Sequence, residues 1–378
     1  MPGIVPYALA GGVAGGVTLV TTPIVRRVAI WRGWVVPPDE RRVHVKPTPA
    51  IGGVAMFLGL LAGVATAYRS DSLRPAFRSS EMVGVLIAMT IIFVVGLVDD
   101  LHPISPPAKV AGLVAAGIVL SLAGATMQFF RLPFLGYVSL DGSADFVPLV
   151  TVLWLLIMAN AINLIDGLDG LAAGIVAIAS GTFFLYGHRL DTQGLLNGGS
   201  IESGAANIGP LVAILVLGIC LGFLPHNFNP ARIFMGDSGA LMLGGLMAVA
   251  TSVVGGRVDE PFSGRTYFFF APLFIPIVIL GVPLLDSVFA IVRRATRRRS
   301  VSTADKDHLH HRLMRLGHGQ RRSVLILWLW TAILSGLVLY PTYTGEGNGL
   351  VPFGIAGLVL ALFTVLHPQV RRQRDDLA

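Results

Sequence analysis

The fold class this sequence predicts is an all-α polytopic membrane protein, and three observations predict it. Hydrophobic residues make up 54% of the 378-residue chain and charged residues only 13%, against about 25% charged in soluble domains. Apolar stretches long enough to cross a hydrocarbon core, about 20 residues each, recur from end to end. The basic residues, which give a net charge of +7, sit in short connections between those stretches. They do not form one soluble basic face, so a nucleic-acid partner is not expected.

Eleven apolar segments can be marked, at about 4–24, 51–68, 82–98, 107–125, 147–164, 169–187, 207–224, 238–255, 267–292, 323–341 and 350–367. No basic residue precedes the first segment, and Arg26 and Arg27 follow it. That order suits a spanning helix with its N-terminus outside and does not suit a cleaved signal peptide. Of the 28 Lys and Arg residues, 21 fall in one set of alternating connections and 7 in the other. The bias places the richer set, and the C-terminus, in the cytoplasm. One transmembrane domain covers 1–378, with cytoplasmic loops at about 25–50, 99–109, 160–170, 225–238 and 293–322. The outside stretch "RLPFLGYVSLDGSADFVP" (131–148) has the pattern of a short hairpin. The single cysteine, Cys220, lies inside an apolar run and reads as a packing thiol.

Polar residues collect in four places, all on the side assigned to the cytoplasm. "VVGLVDDLHPIS" ends the third segment with Asp99 and Asp100. "ANAINLIDGLDGLAAG" carries Asn160, Asn163, Asp166 and Asp169. The stretch opening the eighth segment holds Asn227, Asn229, Arg232 and Asp237, and "DKDHLHHRLMRLG" holds Asp305, Asp307, His308, His310 and His311. Asn163, Asp166 and Asp169 recur every third residue, which predicts one broad helical face. Asp99 and Asp100 are adjacent, about 100° apart on a helix, and so are expected to do different jobs. Several carboxylates facing a cationic loop suggest a divalent metal and a phosphorylated substrate, because Mg²⁺ favours carboxylate and phosphate oxygens. A zinc site in "HLHH" is a weaker fit, since no third ligand follows.

These strings resemble the polyprenyl-phosphate N-acetylhexosamine-1-phosphate transferases, the membrane family that includes WecA, TagO and MraY. The resemblance runs from "DERRVHVKPTPAIGGV" (39–54) to the histidine loop, and "NLIDGLDGLAAG" and "PARIFMGDSG" are its most specific parts. The histidine loop looks like the WecA/TagO branch. The resemblance implies transfer of GlcNAc-1-phosphate from UDP-GlcNAc to undecaprenyl or decaprenyl phosphate, releasing UMP, at the cytoplasmic face of a bacterial inner membrane. The product would start a cell-envelope glycan such as lipopolysaccharide or teichoic acid. Mg²⁺ is the implied cofactor, with Mn²⁺ as substitute, and dimers of relatives imply a homodimer.

Carried over residue by residue, the resemblance makes Asp237 a metal ligand. Asp99 deprotonates or orients the lipid phosphate and Asp100 supports metal or substrate, with the two roles interchangeable on sequence alone. Asp166 and Asp169 belong to the catalytic face. Substrate contacts fall to Lys46, Thr48, Lys109, Asn160, Asn163, Asn229, His308, His310, His311 and Arg312. Asp286 reads as an ion pair for nearby arginines, and Ala240 stands where many relatives have serine. Three other readings compete. A phospho-MurNAc-pentapeptide transferase would share the chemistry with a different donor. A transporter would place its polar groups near the bilayer midplane between repeats. A CDP-alcohol phosphotransferase would need an Ala-Arg pair that "DGLDGLAAG" lacks.

Overall fold

The computed structural model describes residues 2–36, 47–127, 129–132, 136–140, 146–193, 206–255, 318–345 and 350–366. Within them lie α1 (Ile4–Arg32), α2 (Gly53–Arg69), α3 (Glu81–Leu101), α4 (Pro106–Leu122), α5 (Phe146–Ile165), α6 (Leu171–Thr192), α7 (Gly209–Asn227), α8 (Gly236–Gly255), α9 (Gln320–Thr344) and α10 (Leu350–Leu366). A short 3-10 turn, Arg74–Phe77, precedes α3. The strands β1 (Phe129–Leu132) and β2 (Gly136–Ser139) pair antiparallel with Phe129 opposite Ser139, which is the hairpin expected between α4 and α5. The helices coincide with every expected segment except 267–292, which lies outside the described residues.

Seven of these helices are long and apolar enough to cross a membrane, while α2, α4 and α10 are shorter apolar helices. Helix is the structure such sequences are driven to, because hydrocarbon offers no partner for backbone N–H and C=O groups. Prolines mark starts: Pro106 opens α4 and Pro210 lies in the first turn of α7, where a missing N–H costs nothing.

The centre of the bundle is α8. Its membrane-length window is 94% buried, against 33% for α1, and it packs on α2, α3, α5, α6 and α7. Its N-terminus is therefore delivered to the middle of one end of the bundle. Elsewhere small residues let helices approach. Gly11 and Gly15 of α1 meet Gly218 and Gly222 of α7 so closely that a Cβ on Gly218 would fall on the Gly11 carbonyl. Trp154 ties α5 to α8 by donating its indole N–H to Thr251 Oγ1 at 2.8 Å.

Candidate active site

The odd-numbered helices α3, α5 and α7 finish, and α2, α4, α6, α8 and α9 begin, at the same end of the bundle. A short backbone ladder organises the approach to α8. The Phe234 N–H donates to Pro49 O at 2.8 Å, Gly52 N–H to Phe234 O at 2.9 Å and Gly53 N–H to Met235 O at 2.8 Å. Gly236 then turns the chain into α8 with φ +70, a conformation that costs glycine little. A side chain there would also strike the Ala50 carbonyl and the Asp100 carboxylate.

Asp100, at the end of α3, caps α8. Its Oδ1 accepts the Asp237 N–H at 2.7 Å, and its Oδ2 accepts the Ser238 N–H at 3.0 Å and the Ser238 hydroxyl at 2.6 Å. The first turn of a helix leaves N–H groups without partners, and here a neighbouring helix supplies the acceptor. The Asp237 side chain is thus released from capping its own helix. It accepts instead from Lys109 Nζ at 2.7 Å. The same ammonium reaches Asp99 Oδ2 at 2.6 Å, and the Ile104 N–H donates to Asp99 Oδ1 at 2.9 Å. Asp99 and Asp100 therefore face different partners, as their spacing predicts.

Asp166 and Asp169 depart from the expected helical face. α5 stops at Ile165 and α6 starts at Leu171, so both aspartates belong to the turn between them. Gly170, at φ +77, makes that turn and is stacked against Phe228. The turn is pinned from α7: the Gly170 N–H donates to Asn227 Oδ1 at 3.0 Å, and Asp169 Oδ2 accepts Asn229 Nδ2 at 2.8 Å and the Ala231 N–H at 3.0 Å. Asp166 is half-buried and accepts no hydrogen bond from the described residues. Partial burial, then the negative charges of Asp237, Asp100 and Asp169, hold its carboxyl well above the ordinary carboxylate range.

The structure thus gathers Asp99, Asp100, Asp166, Asp237 and Lys109 into one cluster, with Asp169 and Asn229 beside it. Asn163 sits one turn before Asp166, and its carbonyl accepts the Asp166 N–H at 3.3 Å. Thr48 is buried, and its backbone pairs with Val36 in the approach to α2. Asn160 is exposed and donates to Leu156 O of its own helix at 2.8 Å. Lys46, Asp286, His308, His310, His311 and Arg312 lie outside the described residues. Sequence reasoning passed over Ser238, Gln320 and Arg321. Ser238 had a signal in standing beside Asp237. Gln320 and Arg321 had none, since their partner, Asn229, is 91 and 92 residues away.

Four carboxyl groups and one lysine make the cluster rich in oxygen donors, which suit a hard divalent cation. Among the described residues no three Asp, Glu, His or Cys side chains close into a complete cage. The set fits an ion held by one or two carboxylates together with substrate phosphates and water, which is how Mg²⁺ is commonly bound. Asp237 and Asp166 are the residues whose carboxylates carry no backbone donors.

The family model described as glycosyl transferase family 4 matches residues 82–255, the span from α3 to α8 that holds the cluster. A Mycolicibacterium smegmatis protein named decaprenyl-phosphate N-acetylglucosaminephosphotransferase is 35% identical over 97% of this chain and 90% of its own. A Bacillus subtilis protein named "probable undecaprenyl-phosphate N-acetylglucosaminyl 1-phosphate transferase" is 39% identical over 84% of this chain and 80% of its own. A phospho-N-acetylmuramoyl-pentapeptide-transferase from a Mycobacterium species is 30% identical over 87% of this chain and 94% of its own. With relatives matched at that identity along almost its whole length, the chain belongs to glycosyl transferase family 4.

Proposed function

We propose that the protein transfers GlcNAc-1-phosphate from UDP-GlcNAc to a polyprenyl phosphate, giving polyprenyl-pyrophosphate-GlcNAc and UMP. The observation that carries this reading is the convergence of Asp99, Asp100, Asp166, Asp237 and Lys109 at one end of an apolar helix bundle. A lipid phosphate and a water-soluble nucleotide can meet only at such an end. The names of the relatives support the transferred GlcNAc phosphate and the polyprenyl phosphate acceptor, and the GlcNAc-type relatives match at higher identity than the pentapeptide type.

In the transfer, an oxygen of the lipid phosphate attacks the sugar-bearing phosphorus and the bond to the UMP phosphate breaks. A phosphomonoester has its second pKa near ~6, so the nucleophile is largely a dianion at neutral pH and needs little help from a base. The chain's task is then to bring two anions together. Lys109, held between Asp99 and Asp237, offers an ammonium to the phosphates. Asp99 orients that lysine, and Asp100 fixes the first turn of α8 beneath Asp237. Asp237 and Asp166 would hold Mg²⁺. The ion would neutralise and orient the pyrophosphate oxygens. His308, His310, His311, Arg312 and Lys46 remain proposed phosphate and sugar contacts on the resemblance alone.

The site end is proposed to face the cytoplasm of a bacterial inner membrane. The excess of Lys and Arg in the connections at that end supports this. Eleven spans are also proposed: α8 runs away from the site end and α9 starts at it, which supports a further crossing between them. The carboxylates gather at a bundle end and not between repeats at the midplane, which disfavours the transporter reading.

The test uses purified protein in detergent with undecaprenyl or decaprenyl phosphate, UDP-GlcNAc and Mg²⁺, with and without EDTA, reading UMP. Lipid-dependent, EDTA-sensitive release is the expected result. Release only from UDP-MurNAc-pentapeptide would keep the chemistry and change the donor, and silence with every donor would overturn the reading.

A further inference from the structure

We propose that Gln320 and Arg321, in the first turn of α9, are positioning residues: acting through Asn229, they clamp the 166–170 turn and so hold Asp166 in the carboxylate cluster. The proposal rests on the transfer reading for its activity test. Asn229 Nδ2 donates one hydrogen to Asp169 Oδ2 at 2.8 Å and the other to Gln320 Oε1 at 2.7 Å. Arg321 Nε donates to the Asn229 carbonyl at 3.1 Å and to its Oδ1 at 3.2 Å. Both amide hydrogens thus meet acceptors and the amide oxygen meets a cation, so only one orientation of the side chain satisfies all its neighbours. With the amide fixed, Asp169 is fixed, and the Ala231 N–H adds a second bond to the same oxygen. A parallel tie runs from Ile233 O to Asn227 Nδ2 and from Asn227 Oδ1 to the Gly170 N–H, each at 3.0 Å.

Asp166 makes the clamp matter. Its side chain accepts no hydrogen bond from the described residues, although Asp237, Asp100 and Asp169 stand around it. Among the described contacts, the turn that carries it is what positions it. Neither Gln320 nor Arg321 touches Asp166 or Asp237 in the described contacts, so their influence passes through Asn229 and Asp169. The start of α9 is thereby tied to the turn between α5 and α6, and its position becomes part of the geometry of the site.

Two variants and two readouts test the clamp. Gln320→Ala removes the acceptor for Asn229, whereas Gln320→Glu keeps one. In Gln320→Ala, kcat for UMP release should fall by about 10- to 100-fold, the scale of a small misplacement of a reacting group. KM for the polyprenyl phosphate should hardly change. Backbone hydrogen exchange should quicken in peptides covering 166–171 and 229–233, with α8 unaffected. Gln320→Glu should restore both. Unchanged exchange in Gln320→Ala would overturn the clamp, as would faster exchange with an unchanged kcat. So would a uniform rise in exchange across the bundle, which would mark a general loss of stability. Wild-type protein that released no UMP from any donor would overturn the transfer reading by itself, while the exchange measurement would still decide the clamp.

Discussion

Two helix contacts in this bundle are both close at glycines and differ in what else joins them. Between α1 and α7 the backbones meet because glycines leave out side chains, and His226 Nε2 of α7 adds a polar contact to Leu19 O of α1 at 3.0 Å. Between α3 and α8 a glycine, Gly96, also admits the backbone of Asp237 and Ser238, but there a carboxylate, Asp100, joins the helices by taking two N–H groups and a hydroxyl from the first turn of α8. The first contact holds two helices together and touches none of the clustered carboxylates. The second packs the helices and also frees the neighbouring Asp237 for chemistry. Stability and function should therefore separate cleanly at the glycine seam and be mixed at the α3–α8 junction.

The sharpest test of that contrast is Asp237→Asn. The shape of the side chain is kept, and Asp100 still caps the helix, so the protein should fold and melt as the wild type does. UMP release should fall by about 10²- to 10³-fold, the loss typical of removing one electrostatic contact in a transition state. Robust activity in this variant would remove Asp237 from the metal and phosphate site. Asp100→Ala should behave differently. It strands the donors of Asp237 and Ser238, a loss of about 1–3 kcal/mol for buried groups without partners. Thermal melting in detergent and UMP release should fall together, and a fall in activity without a change in melting would show that Asp100 acts on substrate and not on the helix.

Much of the fold was legible because a bilayer admits few structures. Once apolar runs of spanning length are found, backbone hydrogen bonding makes them helices, and the ends of α3, α5 and α8 lie within a few residues of the expected ones. The clustering of Asp99, Asp100, Asp166 and Asp237 could also be read, since the alternation of segments puts each of them on the side assigned to the cytoplasm. Which group each carboxylate would face could not. Asp100 finds its partners 137 and 138 residues away, and Asp169 turns to a loop after α7. Those choices depend on how helix ends are brought together in space. The three-residue spacing of Asn163, Asp166 and Asp169 misled for a local reason: α5 ends at Ile165, and residues 166–170 form a turn that a left-handed Gly170 closes before α6 begins.

At the glycine seam the expected effect is on stability alone. Gly218→Ala puts a methyl group onto the Gly11 carbonyl, and overpacking of this kind costs about 1–3 kcal/mol. The melting temperature should drop, and the folded fraction should retain its kcat. A lowered kcat in protein that is still folded would mean that the α1–α7 contact reaches the site, and the two contacts would then differ less than their chemistry suggests.

The smallest effect is expected at Asn160. Sequence places it with the substrate contacts, six residues before Asp166. In the structure it is exposed, and its amide returns to the Leu156 carbonyl one turn back in α5. Such back-bonding contributes little to a helix, and surface substitutions of this kind usually shift stability by less than about 0.5 kcal/mol. Asn160→Ala should leave both melting and UMP release near wild type. An increase in KM for the nucleotide sugar, with kcat intact, would show instead that the substrate extends along α5 beyond the carboxylate cluster. The exposed face of that helix would then belong to the site, and its boundary would lie about one and a half turns further along α5 than the contacts of Asp166 suggest.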